Sequence, residues 1–349
     1  MAEEAFEELI QGVQRNCDIA DARHGADFGI CSYLLKMREY FRWEKGFGLS
    51  EHLPREDIGD WLSRREAHWE TLVELDFGVL RIDDAEFDPF DADGINGVLE
   101  QHGLAYSSGL IGAGKPHFFL AHLDRLELSA GEYSIRVCGR ELARGLNAPP
   151  AMARDGNIFL RREALRRYLW ERLEMWRWKA PANALGRAFA CYDFDSDTDA
   201  ALDSMTETEM ETVLRHEIGE VRAGRLLGDA WNRMLKDLLQ TPAELMARAV
   251  RDNLADCTAT LPYLAGQGHD APVHFFVGAL GAMRKQIFPG LPRAYEEWRA
   301  GGDTEPLAAL AQVGKDHWAR LALDMLHLHL QHGPAAAGPM AELVEGRAL

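Results

Sequence analysis

The chain has 349 residues, of which 47% are hydrophobic and 27% are charged. This is the composition of a globular protein, and it excludes a wholly disordered chain. Its 38 Lys and Arg are outnumbered by 56 Asp and Glu, which gives a formal net charge of -18. A surface this acidic repels phosphate backbones and anionic headgroups, so no nucleic-acid partner is expected.

The first 72 residues carry helical patterns and are expected to form an N-terminal helical segment. Between Cys17 and Trp43 the apolar residues follow the 3, 4, 7 spacing of a buried helix face, which predicts a helix that ends near Gly46. A second helix is predicted from about Pro54, because proline is tolerated in a first helical turn.

In residues 73–160 glycines are more frequent and apolar residues alternate with polar ones. This segment is expected to form a small α+β module. The segments Phe118–Leu128 and Ser134–Cys138 predict a β-hairpin that turns near Ala130 and Gly131. A short strand is expected around Phe159.

Helical signals return in residues 161–332, which predict a C-terminal helical bundle. An acidic linker is expected over residues 192–204, followed by a long helix from about Thr206 to Leu239 and another that opens at Pro242. Residues 333–349 are expected to be a flexible tail. The predicted fold class is therefore α+β, predominantly α: a helical bundle with a small β-hairpin-containing insert.

Two sequence motifs resemble ligand-binding loops but lack required residues. Gly109 to Lys115 has the spacing of a phosphate-binding loop, but Pro116 stands where a Ser or Thr must hold magnesium, so no nucleotide is expected. The run from Asp91 to Glu100 resembles part of a calcium loop, but Pro89 occupies the first ligand position. An acidic helix start is the preferred interpretation of this second motif.

The motif that carries chemistry is His216-Glu217-Ile218-Gly219-Glu220, within the long predicted helix. His216 and Glu220 are one turn apart, so they face the same side and can chelate one cation. Glu217 lies about 100° around the helix and is the candidate catalytic acid or base, acting on a bound water.

A second pair of carboxylates, Asp252 and Asp256, is also one turn apart on a predicted helix. Antiparallel packing of the two helices would bring these carboxylates to His216 and Glu220, as in carboxylate-rich metal sites of helical bundles. The predicted metal ligands are therefore His216, Glu220, Asp252 and Asp256.

The identity of the metal follows from the donor atoms. In the zinc hydrolase motif HExxH the last position is a second histidine, a downstream carboxylate is the third ligand, and an Asp one turn later orients the first histidine. Here the last position is Glu220. The donor set is rich in oxygen, so iron or manganese is favoured over zinc.

The same residues have an alternative interpretation. Several arginines stand close by in the sequence, enough to neutralise the carboxylates in a structural ion-pair network: Arg215, Arg222, Arg225, Arg248 and Arg251. Spacing alone leaves both interpretations open.

Two further groups of residues could bind metal. Cys17, Asp21, His24 and Cys31 fall near one face of the predicted helix. Cys17 and Cys31 are about 21 Å apart on it, so one ion cannot contact both, and the remaining candidate is His24 with Asp21 or Cys31. In the last long helix, a third set could complete a bundle site: His317, Asp324 and His327.

The five cysteines are widely spaced, odd in number and without a CxxC pair, so no disulfide framework is expected. The acidic start MAEEAFEELI lacks the features of a secretory signal, and no apolar run approaches the ~18 residues of a membrane span. We therefore expect a full-length cytoplasmic protein without membrane insertion.

Two blocks of sequence resemble a bacterial family known only as a domain of unknown function. The first is Asn16–Ala22 with Tyr33–Glu44, and the second comprises Gly139–Arg144, Leu254–Asp256 and the pair Leu261-Pro262. The resemblance covers most of the chain. It implies that the N-terminal and C-terminal parts of the chain belong to one protein. No activity is known for the family, so the resemblance identifies no catalytic residues.

These observations leave two functional hypotheses. The first is a helical metalloprotein, a metal-dependent redox or hydrolytic enzyme with its site between bundle helices. The second is a non-enzymatic protein-binding or assembly factor, in which aromatic residues around Trp43, Trp61 and Trp69 contact a protein partner. The substrate and the oligomeric state are not readable from the sequence.

Overall fold

The protein is described by a computed structural model, which covers residues 2–111, 114–129 and 131–349. Its fold class is α+β and predominantly α, as predicted. The first third of the chain contains three helices, two short strands and a fourth helix: α1 Glu3–His24, α2 Ile30–Lys45, α3 Arg55–Glu70, β1 Leu80–Ile82, β2 Ala85–Phe87 and α4 Ala92–Leu99.

A five-stranded sheet follows, with the strand order β3-β4-β5-β7-β6. Its strands are β3 Leu104–Ile111, β4 Lys115–Ser129, β5 Tyr133–Arg144, β6 Ala151–Arg154 and β7 Asn157–Arg161. The predicted strands thus belong to a larger sheet, in which β3 and β4 pair antiparallel from Leu104 opposite His122. Part of the predicted hairpin turn, Ala130, lies outside the described residues.

The rest of the chain is helical. The helices are α5 Arg162–Arg177, α6 Ala184–Phe189, α7 Thr198–Asp237, α8 Pro242–Ala255, α9 Leu261–Gly266, α10 Asp270–Ala279, α11 Ala282–Ile287, α12 Gly290–Gly301, α13 Glu305–His332 and α14 Ala337–Glu345. A π-helical turn, Asp256–Thr260, joins α8 to α9.

The chain divides into two compact units. The first comprises residues 1–128, 135–150 and 159–170, and the second comprises residues 129–134, 151–158 and 171–349. In the first unit α1 contributes Leu9 and Val13 to a core shared with α4 and the sheet. In the second unit one large core is built from helices, with Trp231 and Trp318 among its most buried side chains.

Helix α7 begins earlier than its sequence pattern predicts. It starts at Thr198, inside the segment expected to be an acidic linker, because the Asp197 carboxylate caps it by accepting a hydrogen bond from Ala200 N at 3.0 Å. Near its other end Gly228 has φ 62°, so the helical geometry is interrupted there. The candidate ligands His216 and Glu220 lie in the regular part between these points.

The last residues differ from the flexible tail that the sequence predicts. They form α14, whose Met340 and Val344 are both 0% exposed within the core of the second unit. The small residues before the helix, 333–336, form a short 3-10 turn. Burial of the two apolar side chains orders the segment, an effect that local composition does not reveal.

No helix among the described residues has both the length and the apolar character that a membrane span requires.

Candidate metal centre

The site lies where α7 and α8 run close together in the second unit. Gly219 on α7 makes this approach possible, because a Cβ atom built on it would stand 2.2 Å from Ala255 O on α8. Any side chain at this position would push the two helices apart. The close contact brings the His216–Glu220 turn of α7 against the Asp252–Asp256 turn of α8.

Three of the four predicted ligands converge. His216, Glu220 and Asp252 each offer one ligand atom, and these atoms all lie within 4.8 Å of one another. A metal ion with bonds of about 2.0–2.2 Å holds neighbouring ligand atoms about 3 Å apart, so modest side-chain rotations would close the set. All three side chains are half-buried and remain open to solvent on one side.

The fourth predicted ligand, Asp256, lies beside His216 and not in this triad. Its Oδ1 accepts hydrogen bonds from His216 Nδ1 and from Thr260 Oγ1, both at 2.7 Å. Its Oδ2 accepts a hydrogen bond from the Arg284 guanidinium. With Nδ1 donating to this carboxylate, the free lone pair of the imidazole is on Nε2, the tautomer that ligates metal.

The π-helical turn sets the position of Asp256. Leu261 N donates to Asp256 O, five residues back, and Pro262 has no N–H to continue the regular α-helical pattern. Asp256 and Thr260 are 0% exposed on this turn. π-Helical turns often occur at functional sites.

Glu220 is also held by an ion pair. Arg251 Nε donates to Glu220 Oε1 at 3.1 Å, and Arg251 Nη2 contacts Glu220 Oε2 at 2.5 Å. The Asp252 carboxylate, by contrast, forms no ion pair or side-chain hydrogen bond with any residue that the structure describes. The pKa of Arg251 is raised, since attraction to Glu220 and Asp252 outweighs the effect of burial, and the guanidinium stays charged.

The candidate catalytic residue Glu217 is 8% exposed, so it is more buried than a position at the rim of the site. Burial raises the pKa of its carboxyl from 4.5 to about 7; His216 and Arg251 oppose the rise, and Glu220 and Asp252 add to it. Its carboxyl forms no hydrogen bond to the described part of the chain. A carboxyl that titrates near neutral pH and has free oxygens is suited to general acid-base work.

Sequence reasoning missed Arg284. It lies on α11 and contacts two residues of the α8 region, with Arg284 Nε donating to Asn253 Oδ1 at 3.0 Å in addition to its bond with Asp256. Burial lowers the pKa of Arg284, although Asp252 and Glu220 oppose this. No motif marks Arg284 in the sequence, because its partners are about thirty residues away in the chain.

The cysteine-containing set does not form on one helix. α1 ends at His24, and Cys31 lies on α2. Cys17 donates through Sγ to Phe118 O at 3.2 Å, and Asp21 accepts a hydrogen bond from Leu146 N at 2.7 Å. The prediction of a single continuous face was wrong, because Gly25 opens a 3-10 turn that ends the helix.

The residues of α13 that were candidates for a third ligand set have other partners. His317 Nε2 lies 2.9 Å from Arg347 O, Asp324 pairs with Arg347, and His327 Nε2 lies 2.9 Å from Gln331 Nε2. They do not join the triad of His216, Glu220 and Asp252.

The two loop motifs have separate outcomes. Asp91 caps α4 by accepting a hydrogen bond from Gly94 N at 2.9 Å, which confirms the helix-start interpretation. In the glycine-rich motif, Gly112 and Ala113 lie outside the described residues, and Lys115 begins β4, where it pairs with Asp27 at 2.9 Å. A strand follows Lys115, as predicted, and not the helix that a phosphate loop requires.

The tryptophans expected to contact a partner are mostly interior. Trp61 is 4% and Trp69 is 5% exposed, and Trp43 is half-buried with its ring stacked on Tyr40. An exposed aromatic patch is therefore not formed by these three residues. Their rings pack in the core of the first unit with Met37.

The chain belongs to a family of unknown function, DUF6866. The family's N-terminal domain matches residues 8–161 and its C-terminal domain matches residues 166–347, so the resemblance seen in the sequence is confirmed. The His216–Asp256 site lies wholly in the C-terminal domain. No curated protein and no solved structure matches the chain.

Proposed function

We propose that this protein is a metal-dependent enzyme with a mononuclear centre between α7 and α8, and that its chemistry is hydrolytic. His216, Glu220 and Asp252 would hold the ion. The observation that carries the proposal is the hydrogen bond from His216 Nδ1 to the buried Asp256, which leaves the lone pair of Nε2 free to bind an ion, in a residue whose ligand atom lies within 4.8 Å of those of Glu220 and Asp252.

The donor set suits manganese or iron. One imidazole and two carboxylates are harder donors than the three-histidine or cysteine sets that zinc occupies. Bundle sites of this composition also support redox chemistry. Hydrolysis is favoured here because Glu217 supplies a base next to the triad, a group that electron transfer does not need.

Each residue of the site would have a separate role in hydrolysis. A divalent ion in the triad would lower the pKa of a bound water. The Glu217 carboxylate would accept the proton of the attacking water and return it to the leaving group. Asp256 would keep the imidazole in one tautomer, and Arg284 and Thr260 would fix Asp256.

One observation favours the alternative, a structural ion-pair network in a non-enzymatic binding or assembly protein. Arg251 already satisfies both oxygens of Glu220, and Arg284 satisfies Asp256. Asp252 supports the metal interpretation, because its carboxylate forms no ion pair or side-chain hydrogen bond with a described residue and its ligand atom lies within 4.8 Å of those of His216 and Glu220. Five free cysteines support a reducing compartment, and we propose that the protein acts in the cytoplasm.

The test is metal content after reconstitution with Mn²⁺ or Fe²⁺. We expect about one ion per wild-type chain, and loss of the ion in His216→Ala and in Asp252→Asn. Glu217→Gln should keep the ion but lower hydrolysis of reporter esters by about 10²–10⁴-fold, as removal of a general base does.

A matched control is His329→Ala, since His329 Nε2 lies 2.8 Å from Asp237 Oδ2 in a second His–Asp pair outside the site. It should leave metal content unchanged. If wild-type protein binds neither ion, and His216→Ala only lowers the melting temperature, the structural network is the correct interpretation. Breaking a buried pair in that case costs about 3–5 kcal/mol.

A further inference from the structure

Arg251 competes with a metal ion for Glu220. Its guanidinium binds both oxygens of that carboxylate, at 3.1 Å and 2.5 Å. Glu220 is also one of the three residues whose ligand atoms converge. An ion that binds a Glu220 oxygen withdraws electron density from the carboxylate and competes with Arg251 for it, so the ion pair is weakened.

The released guanidinium would need a new partner. The side chain of Arg251 is 24% exposed, so its N–H groups are only partly hydrated, and a buried donor without an acceptor is costly. A guanidinium presents its donors as a planar fork that fits the two oxygens of a carboxylate or a phosphate. The exposed fraction also leaves a path by which a ligand can reach it.

The charge of the ion acts in the same direction. A divalent cation at the triad adds two positive charges beside Arg251, which favours the approach of an anion to the guanidinium.

Arg284 is not available for this role. It donates to Asp256 and to Asn253, neither of which belongs to the converging triad, so metal binding leaves its bonds intact. Of the two arginines, only Arg251 shares its carboxylate with the metal.

We propose that the metal-loaded site recognises its substrate through an oxyanion group, a carboxylate or a phosphate, which Arg251 binds in exchange for Glu220. The inference rests on the proposed function, because it needs the metal at the triad. In this structure Arg251 pairs with Glu220. In the metal-loaded protein it would bind the substrate instead.

The experiment is calorimetric titration in two stages, first with MnCl₂ and then with sodium acetate or inorganic phosphate on the Mn²⁺-loaded protein. We expect Arg251→Gln to bind Mn²⁺ more tightly than wild type, because Glu220 is freed. The same variant should bind the preferred anion at least tenfold more weakly, about 1.4 kcal/mol. The stronger of the two anions identifies the group.

Two further variants control the comparison. Arg248→Gln removes an arginine one turn earlier on α8, whose partner Glu244 lies 2.9 Å away outside the triad; it should bind Mn²⁺ and anion as wild type does. Arg251→Lys keeps the charge without the fork and should show intermediate anion affinity. Thermal melting shows whether Arg251→Gln folds. If it does not, Arg251→Lys replaces it in the comparison of anion affinity.

The outcomes separate this inference from the proposed function. If Mn²⁺ binds but neither anion does, or if anion affinity is equal in wild type and both Arg251 variants, the oxyanion role is wrong and the metal site stands. If neither wild type nor Arg251→Gln binds Mn²⁺, both are overturned.

Discussion

At the scale of single residues, burial decides the chemistry of Glu217 and Asp256. Both are carboxylic acids within the same site, but their surroundings differ. Asp256 accepts hydrogen bonds from His216, Thr260 and Arg284, which together stabilise its charge. Glu217 has no such donors, so its loss of hydration dominates and raises its pKa to about 7. One carboxylate is thereby suited to orient a ligand and the other to carry a proton.

The raised pKa of Glu217 makes stability depend on pH. In the unfolded chain this group ionises near 4.5, whereas in the folded protein it holds its proton to about 7. The folded state binds more protons between these values, so the Glu217 contribution is complete below about pH 4.5 and declines as the pH rises to about 7. Removing the titratable group should abolish this decline.

We therefore expect metal-free Glu217→Gln to match wild type near pH 4.5 and to be more stable at pH 8. The difference has an upper limit of about 3 kcal/mol. Urea unfolding at the two pH values in the presence of a chelator measures it, and the comparison between variant and wild type cancels the titration of other groups. Equal differences at both pH values would contradict the assignment.

At the scale of helices, the site depends on how closely α7 and α8 approach. Ordinary helix pairs are separated by 8–10 Å between axes, a distance set by the side chains at the contact. Gly219 has no side chain, so the backbone at Ala255 packs directly against it. The π-helical turn that follows then directs Asp256 toward His216. The candidate site is assembled by backbone contact as much as by the side chains of the candidate ligands.

Gly219→Ala should therefore separate the helices. We expect a loss of about 1–3 kcal/mol in the free energy of unfolding, the usual cost of overpacking, together with weaker binding of Mn²⁺. Gly224→Ala on the same helix is the control, because a Cβ there has nothing within 4 Å and should stabilise the helix by about 0.5–1 kcal/mol. Thermal unfolding and calorimetry measure both effects. Unchanged Mn²⁺ affinity in Gly219→Ala would show that the close approach is not needed.

At the scale of the whole molecule, the core of the second unit combines residues from α7 with residues from the last helix of the chain. Leu235 and Leu238 follow the interrupted end of α7, while Met340 and Val344 come from the last helix of the chain. Met340 is 0% exposed, so α14 is part of the core and not an appendage. The candidate metal site lies on two helices of this same unit, and its geometry depends on the integrity of that core.

Met340→Ala should destabilise the protein by about 2–5 kcal/mol, the range for truncation of a buried Met. Met175→Ala makes the same chemical change at a position that is 49% exposed and should cost less than about 0.5 kcal/mol. Chemical denaturation of the two variants compares them directly. Equal effects would mean that α14 does not pack as the structure shows.

The sequence determined the features that depend on local spacing. Helical periodicity predicted a predominantly α protein, and the four-residue spacing of His216 and Glu220 placed this pair on one helix face. The run that begins at Asp91 indicated an acidic helix start, and in the structure Asp91 caps α4. Each of these results needs only the geometry of one turn of helix.

The partners that bind each carboxylate of the site by hydrogen bonds or ion pairs are set by the tertiary structure. The separation of Asp256 from the triad depends on the π-helical turn and on Arg284, which comes from a distant helix. The order of α14 and the burial of Trp61 and Trp69 depend on apolar surfaces that only the folded chain brings together. Contacts between residues far apart in sequence have no local signature, because side-chain burial and ion pairing are set by the packing of whole elements.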